Sequence, residues 1–597
     1  MMINRPDGIA SAAPSSDTGP AAGGDAGLVP QFRMMTDALW MSPVRNRLLA
    51  LAGSIVVVVG ATAYGQILLN NWNQPFYDAL SKHDFPGFLH QLGIFALIAS
   101  VLLTLNVAQR WLAETAKIKM REGLVQDLVN NWMRPGRAFR LAAAGAIGVN
   151  PDQRLHEDAR HLTELSADLA IGLLQATIML AMFISVLWAI SAQFTFHIAG
   201  RDLTIPGYMV WAAIAYSGTA SLLSYWVGRD LVNRNVEHYA READLRYSLV
   251  RISDHIDGIS LSGGEADEAR HIFADLAAVL AAMRGIVTGI TRLTWVTAGS
   301  GWITIVAPIL AAAPLYFAGR LTFGGLMLAS GAFMQVQSSL RWFVDNFSTI
   351  ADWRATLLRV AAFRRALIGG DAPVALESQI DFTTGPAGKI TIENLQINCP
   401  VGTTRLAEGS LSVGAGERVL VVGDSGSGKT LLFRALAGLW LQGAGRIALP
   451  KGEEILYMPR MPYLPPGTLR GTLAYPLAPE HASEAACTDA LNRFGLERLV
   501  PSLDAVRRWD RDLPEAERRS LAFARAMLRK PAWLVIDDVF SALDPTMLKR
   551  VGDVFATELK ATGVIHIGAG DGFAKAPTKI AHLVKDLATP SDDAKQS

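Results

Sequence analysis

Along the first 345 residues the apolar positions do not alternate with polar ones. They gather into six continuous runs, each close to the roughly 20 residues a helix needs to cross a hydrocarbon core. The runs are Leu48–Leu69, Leu92–Ala108, Leu169–Phe194, Ile205–Val227, Leu293–Gly319 and Leu321–Leu340. The second is short, and its start can be drawn back to Phe88; the last two are separated by little more than Arg320. The polar links after the second and fourth runs are long and rich in helix formers, which predicts helices continuing well outside the membrane. After Arg365 the period changes. "DAPVALESQIDFTTGPAG" reads as a linker, and from about Ile390 short β-branched runs alternate with helical patterns.

The predicted architecture is an α-helical six-span transmembrane domain (residues 41–365), a linker (366–389) and an α/β nucleotide domain of the P-loop type (390–587). Residues 1–40, with "SAAPSSDTGPAAGGDAG", lack apolar periodicity and are expected to be a disordered tail; residues 588–597 form a second tail. No basic segment followed by an apolar run stands near Met1, so no cleaved signal peptide is expected.

Composition strengthens the membrane reading: 50% of residues are hydrophobic, 18% are charged and mean hydropathy is +0.25. A net charge of +1 gives no reason to expect a nucleic-acid partner. The only cysteines, Cys399 and Cys487, have no metal-ligand spacing and imply no disulfide framework. Basic residues crowd the links 110–160 and 229–292, while the short links holding Lys82, Arg201 and Arg320 are nearly bare. By the positive-inside rule both termini and both long links are cytoplasmic.

The clearest chemistry lies in "ERVLVVGDSGSGKTLLFRALAGLW": a β-branched strand, a Gly-rich turn and a helix. Gly423, Asp424, Ser425, Gly426, Ser427, Gly428, Lys429 and Thr430 match the Gly-x-x-x-x-Gly-Lys-Thr pattern in the context it requires. Backbone N–H groups at the helix start cradle phosphates, the Lys429 ammonium reaches the β- and γ-phosphates, and the Thr430 hydroxyl binds Mg²⁺. Downstream, the apolar strand in "AWLVIDDVFSALD" ends in Asp537, suited to holding Mg²⁺ through water, with Asp538 where a catalytic base would sit. The implied cofactors are ATP and Mg²⁺. No adenine-stacking aromatic precedes the loop; Pro400 stands near its place.

With these motifs in hand, the chain resembles an ATP-binding-cassette (ABC) half-transporter of the exporter type, its membrane domain amino-terminal to its nucleotide domain. Within that superfamily it is similar to the branch related to SbmA/BacA and the peroxisomal fatty-acyl transporters. The carriers are "NWNQPFYDAL", "NPDQRLHEDAR", "READLRYSLVR", "FMQVQSSLRWFVDNF" and "PRMPYLPPGTLR", the second being the most discriminating. Ser541–Asp544 resembles the family's D-loop.

The resemblance also sets a puzzle. The family's signature, Leu-Ser-Gly-Gly-Glu, occurs at Leu261–Glu265, upstream of the phosphate loop and between the fourth and fifth runs. There it cannot meet an opposing nucleotide, so it reads as accidental. The proper place, just before the Asp537 strand, holds "DLPEAERRSLAFARAM", whose tail fits the family and whose head does not. Pro514 and Ala516 stand where the signature serine and glycine would donate to a γ-phosphate, and Glu515 brings negative charge between them. Arg460 takes the Q-loop glutamine's position, Asp538 is shorter than the family's catalytic glutamate, and Ala569 stands at the switch histidine, with His566 three residues earlier. A general base contributes ~10²–10⁴-fold, so these departures together predict retained nucleotide binding with weakened hydrolysis.

Near the membrane, Glu164, Asp168 and Asp345 are ionisable and Gln335 and Gln337 polar; the carboxylates read either as hydrated helix ends or as a proton path of the SbmA/BacA kind. The leading reading is a dimeric ABC-type ATP-binding/permease protein of the bacterial inner membrane moving a peptide-like, lipid-like or other bulky amphipathic solute. Homodimer and heterodimer both remain open. The alternatives are a nucleotide-binding regulatory or partner subunit, and a proton-coupled permease with a degenerate ATPase domain.

Overall fold

The computed structural model describes residues 28–142, 151–192, 195–198, 201–369, 379–399, 402–568 and 577–587. The chain divides into two compact units, Met1–Met133 with Ala144–Ile368, and Arg134–Ala143 with Gly369–Ser597.

The first unit is helical. Its helices are α1 (Leu28–Trp40), α2 (Arg45–Ser81), α3 (Phe85–Trp132), α5 (Ala159–Ser191), α6 (Tyr208–Asp254), α7 (Ile256–Ser262), α8 (Glu265–Phe317), α9 (Phe323–Asp345) and α10 (Phe347–Gly369); the short α4 (Arg137–Ala142) between α3 and α5 belongs to the second unit. A two-stranded hairpin of β1 (Thr195–Ile198) and β2 (Arg201–Thr204) joins α5 to α6. The six apolar runs fall on α2, α3, α5, α6, α8 and α9. Among the described residues, four helices are long and apolar enough to cross a membrane: α2, α3, α5 with the turn that leads into it, and α8. Helices α6 and α9 fall short because Ser, Thr, Gly and Gln dilute them, as in the Gly324, Gly325, Ser330, Gly331, Gln335 and Gln337 series of α9.

Helix α1 corrects the expectation of a tail reaching residue 40. Its buried positions Gln31, Met35 and Ala38 recur at helical spacing, a stripe too short to stand out beside the Ala/Gly-rich segment before it. The break between the last two runs is likewise local: Gly319 adopts φ +71°, its N–H donates to the Tyr316 carbonyl and that of Arg320 to Leu315, ending α8.

Two of the resemblance-bearing stretches have a packing reason. In "NWNQPFYDAL", Asp78 accepts from the Gly324 N–H (2.8 Å) and the Thr322 hydroxyl (2.9 Å), while Asn70, immediately before the stretch, donates to the Leu328 carbonyl (3.3 Å). A Cβ at Gly324 would overlap the Gln74 carbonyl oxygen, so α2 and α9 meet backbone to backbone. In "NPDQRLHEDAR", Arg154–Asp158 forms a π-helical turn that carries Asp158 inward, where it binds Arg154 (2.5 Å) and Arg359 of α10 (3.0 Å).

The second unit is built on a ten-stranded sheet. Its strands are β3 (Asp381–Gly385), β4 (Lys389–Cys399), β5 (Gly402–Leu406), β6 (Ser410–Gly414), β7 (Arg418–Gly423), β8 (Gly443–Pro450) and β9 (Ile455–Met458); then, after a separate two-residue ladder of β10 (Gly467–Thr468) and β11 (Val506–Arg507), come β12 (Trp533–Asp537), β13 (Gly563–Ile567) and β14 (Lys579–Leu587). They lie in the order β3-β8-β4-β5-β14-β7-β13-β12-β9, with β6 beside β4. Strands begin at Asp381, inside the segment expected to be linker, because Phe382 packs on the sheet core beside Ile380.

Strands β14, β7, β13, β12 and β9 run parallel. Every residue of β12 is buried: Trp533 and Val535 enter one core and Leu534 and Ile536 the other, as a central parallel strand covered on both faces requires. Helix α4 belongs to this unit, and the Arg434 guanidinium lies over the Phe139 ring (5.8 Å).

Candidate nucleotide site

The candidate site sits at the carboxyl ends of the parallel strands β7 and β12. From β7 the chain turns through Asp424–Gly428 into α11 (Lys429–Leu436). Gly426 and Gly428 adopt φ +82° and +94°, conformations that disfavour a side chain, and Gly428 is the residue before the helix. A Cβ at Gly428 would overlap the Thr404 hydroxyl, which itself donates to the Ser427 carbonyl (3.0 Å). The loop is thus closed down on β5, leaving its concave side to backbone N–H groups.

The Lys429 ammonium folds over that concave side and donates to the carbonyls of Gly423 (2.7 Å) and Asp424 (3.1 Å). The Ser427 hydroxyl is buried without a hydrogen-bond partner. Thr430 and Asp537 line one cavity of about 610 Å³, and a Thr430 hydrogen bond reaches the Asp537 carboxylate. Burial raises the Asp537 pKa, the Asp538 charge adds to the rise, and the Thr430 bond and the Arg460 and Arg434 charges oppose it. A carboxylate buried beside a second one and hydrogen-bonded to a hydroxyl suits a divalent cation, and the loop that carries the lysine ammonium suits a phosphate chain. ATP with Mg²⁺ therefore fits the residues present.

Asp538 is held in a left-handed conformation (φ +46°), its N–H donating to the Ile567 carbonyl (2.8 Å) and its own carbonyl accepting from Ser541 (3.1 Å). Its Oδ1 is buried with no hydrogen-bond partner. A Cβ at Gly568 would lie 2.7 Å from His566 Nε2 and 2.9 Å from Asp538 Oδ1, so both groups close on one point. His566 is fully buried on β13, edge-on to Phe540 (4.6 Å), and burial lowers its pKa to about 4 against the pull of Asp538, which keeps the ring neutral. The sequence does not pair His566 with Asp538; the signal available was strand alternation, which sends His566 to the same face as Val564, opposite Ile565 and Ile567. Ala569 and Pro400 lie outside the described residues.

At the signature position, α12 (Glu515–Arg529) opens directly after Pro514, and no side chain caps it. Glu515 turns back to Arg519 (3.0 Å) and Glu517 pairs with Arg498, so the helix's first turn is furnished with its own anions. The tail that fits the family is core: Leu521 to Met527 is buried throughout, with Phe523 stacked between Phe494 and Phe540. The buried Arg525 donates to the carbonyls of Thr472 (2.9 Å) and Tyr463 (3.2 Å); burial lowers its pKa to about 10, which leaves it charged at neutral pH.

The displaced Leu261–Glu265 has a purely local explanation. Leu261 and Ser262 end α7, Gly263 (φ +63°) terminates it, Gly264 precedes α8 and Glu265 is that helix's first acidic residue. It is a helix stop followed by a helix start.

Two family models match in tandem: ABC transporter transmembrane region 2 over residues 38–316, and ABC transporter over residues 406–541. The chain is an ABC transporter with fused membrane and ATP-binding domains. Its relatives include an uncharacterized ABC transporter ATP-binding protein of Haemophilus influenzae, 28% identical over 90% of this chain and 89% of that one. The inner membrane ABC transporter ATP-binding protein YddA of Escherichia coli is 24% identical over 90% and 95%. The human lysosomal cobalamin transporter ABCD4 is 23% identical over 80% and 82%. In this ABC transporter the three carboxylates noted near the membrane are all paired: Glu164 with Arg160 (3.3 Å), Asp168 with Lys117 (2.7 Å) and Asp345 with Arg341 (3.4 Å).

Proposed function

We propose that this ABC transporter binds ATP and Mg²⁺ at Gly423–Thr430 and Asp537, hydrolyses it slowly, and moves a bulky amphipathic solute across the bacterial inner membrane as a dimer. One observation carries the reading: Thr430 and Asp537 meet in one cavity beside a loop whose lysine ammonium, among the described residues, donates to the backbone carbonyls of Gly423 and Asp424 alone. Lys429 would exchange those carbonyls for phosphate oxygens, and Thr430 and Asp537 would hold the cation. ATP, when bound there, would supply the free energy for closure of the domains.

Asp538 is the remaining candidate base; its Oδ1 accepts the proton of an attacking water, with neutral His566 beside it. Its short side chain, the missing signature donors and the carboxylates of the first turn of α12 all oppose fast turnover. The pairing of Glu164, Asp168 and Asp345 favours nucleotide drive over a proton path. Six spans on α2, α3, α5, α6, α8 and α9, with both termini cytoplasmic, complete the proposal. A bulky solute class accords with the cobalamin named for one relative.

The test is flux of an amphipathic peptide in lipid vesicles carrying the full chain. Flux that requires ATP and is lost in Lys429→Ala supports the proposal. Flux that collapses with an uncoupler yet ignores the lysine change overturns nucleotide drive.

A further inference from the structure

An apolar crevice of about 380 Å³ opens in the helical unit between α1, α2, α3 and α5. Its walls include Leu48, Ala52 and Ile55 of α2, Ala116 of α3, and Ala167 and Ile171 of α5. The alanines create it: three small side chains face one another where larger ones would close the gap. Ile55, Ala116 and Ala167 are buried, so the inner end is part of the packed helix seam. Arg45 and Trp40 also line it, the guanidinium lying over the indole at 5.5 Å, and Trp40 is 59% exposed. Among the described residues Arg45 makes no ion pair.

We propose that this crevice binds one acyl chain of an anionic membrane phospholipid, with the lipid phosphate at Arg45. The proposal rests on α2 crossing the membrane and is independent of the nucleotide reading. Three features argue for this occupant. From Arg45 to Ile55 the helix rises about 15 Å, half of the ~30 Å hydrocarbon core, which is the depth of one leaflet. An unpaired guanidinium at the mouth of an otherwise apolar cleft complements a phosphate. An exposed tryptophan beside it marks the level of the headgroups. A cleft that opens at the start of a membrane-crossing helix can be filled from the surrounding lipid.

The test uses the full-length protein in mild detergent, incubated with phosphatidylglycerol or phosphatidylcholine of identical chains and weighed by native mass spectrometry. Phosphatidylglycerol should be retained roughly fivefold better, as ~1 kcal/mol per basic side chain converts. Arg45→Gln should erase that preference, and Ala52→Phe, which fills the cleft, should reduce retention of both lipids. An unchanged melting temperature certifies each variant; should Ala52→Phe unfold, the Arg45→Gln comparison decides alone. Equal retention of the two lipids by the unaltered protein, or a preference that survives Arg45→Gln, overturns the proposal. So does displacement of phosphatidylglycerol by an equimolar free fatty acid, which would mark a solute site. Disulfide formation between two chains bearing Ala52→Cys would instead make the crevice a seam between copies, and overturn it too.

Discussion

Gly428→Ala is the most informative single change in the nucleotide unit. Gly428 holds φ +94°, and placing a side-chain-bearing residue in such a region costs about 1–3 kcal/mol. The new Cβ would also overlap the Thr404 hydroxyl, with Thr404 Cγ2 at 2.9 Å and its Cβ at 3.1 Å. Thr404 is fully buried on β5 and tied to the Ser427 carbonyl, so it cannot swing aside. A loop that relaxes away from the clash must return to the strained form to cradle phosphates. Together these terms amount to about 2–4 kcal/mol, or a 30- to 1,000-fold loss of ATP affinity. Thr404→Ala added to Gly428→Ala removes the two closest atoms but not the φ cost, and forfeits one hydrogen bond of about 0.5–1.5 kcal/mol. The double variant should therefore bind ATP·Mg²⁺ better than Gly428→Ala and worse than the unaltered protein. Calorimetric titration of the three proteins measures this. Binding by Gly428→Ala within about threefold of the unaltered protein, or no recovery in the double variant, would refute the idea that close approach to β5 shapes the loop.

Burial and Asp538 raise the Asp537 pKa, so its ionised form costs stability when no cation is present. That cost grows as pH rises through the carboxylate range and fades as pH falls. Asp537→Asn should raise the melting temperature of the nucleotide-free protein at neutral pH, flatten its acid-side dependence and abolish the extra stabilisation by Mg²⁺; thermal scans with and without Mg²⁺ check all three. Asp158→Asn leaves Arg154 and Arg359 without their shared carboxylate. The two arginines are part-exposed, so the loss should be about 1–3 kcal/mol, read as earlier unfolding in detergent with ATP affinity unchanged. Combining Asp538→Glu, Pro514→Ser, Glu515→Gly and Ala516→Gly should raise ATP turnover by at least ~10-fold, towards the ~10²-fold lower bound of a general base; a phosphate-release assay showing no gain would place the defect elsewhere.

How much of this was legible in the sequence follows from range. The phosphate loop is a local motif, and its strand, turn and helix form where the spacing puts them. The apolar runs likewise report helices directly. Contacts across the fold were not legible. Nothing in "NWNQPFYDAL" says that Asp78 will meet the start of α9, and nothing near His566 says that Asp538 lies beside it, because both pairings depend on how distant elements pack. Helix α1 was missed because its stripe, Gln31, Met35 and Ala38, is short and begins with a polar residue. Leu261–Glu265 shows the converse: a five-residue string identical to a functional motif is here only a glycine-punctuated helix junction.

The central claim is that the nucleotide unit holds ATP far better than it splits it. Equilibrium binding of labelled ATP·Mg²⁺ and its single-turnover cleavage, measured on the same full-length protein in lipid, test this together. The account predicts saturable binding that Lys429→Ala removes, with cleavage barely above that variant's background. Turnover near the ~10 s⁻¹ typical of enzymes, or no binding at all, would contradict it.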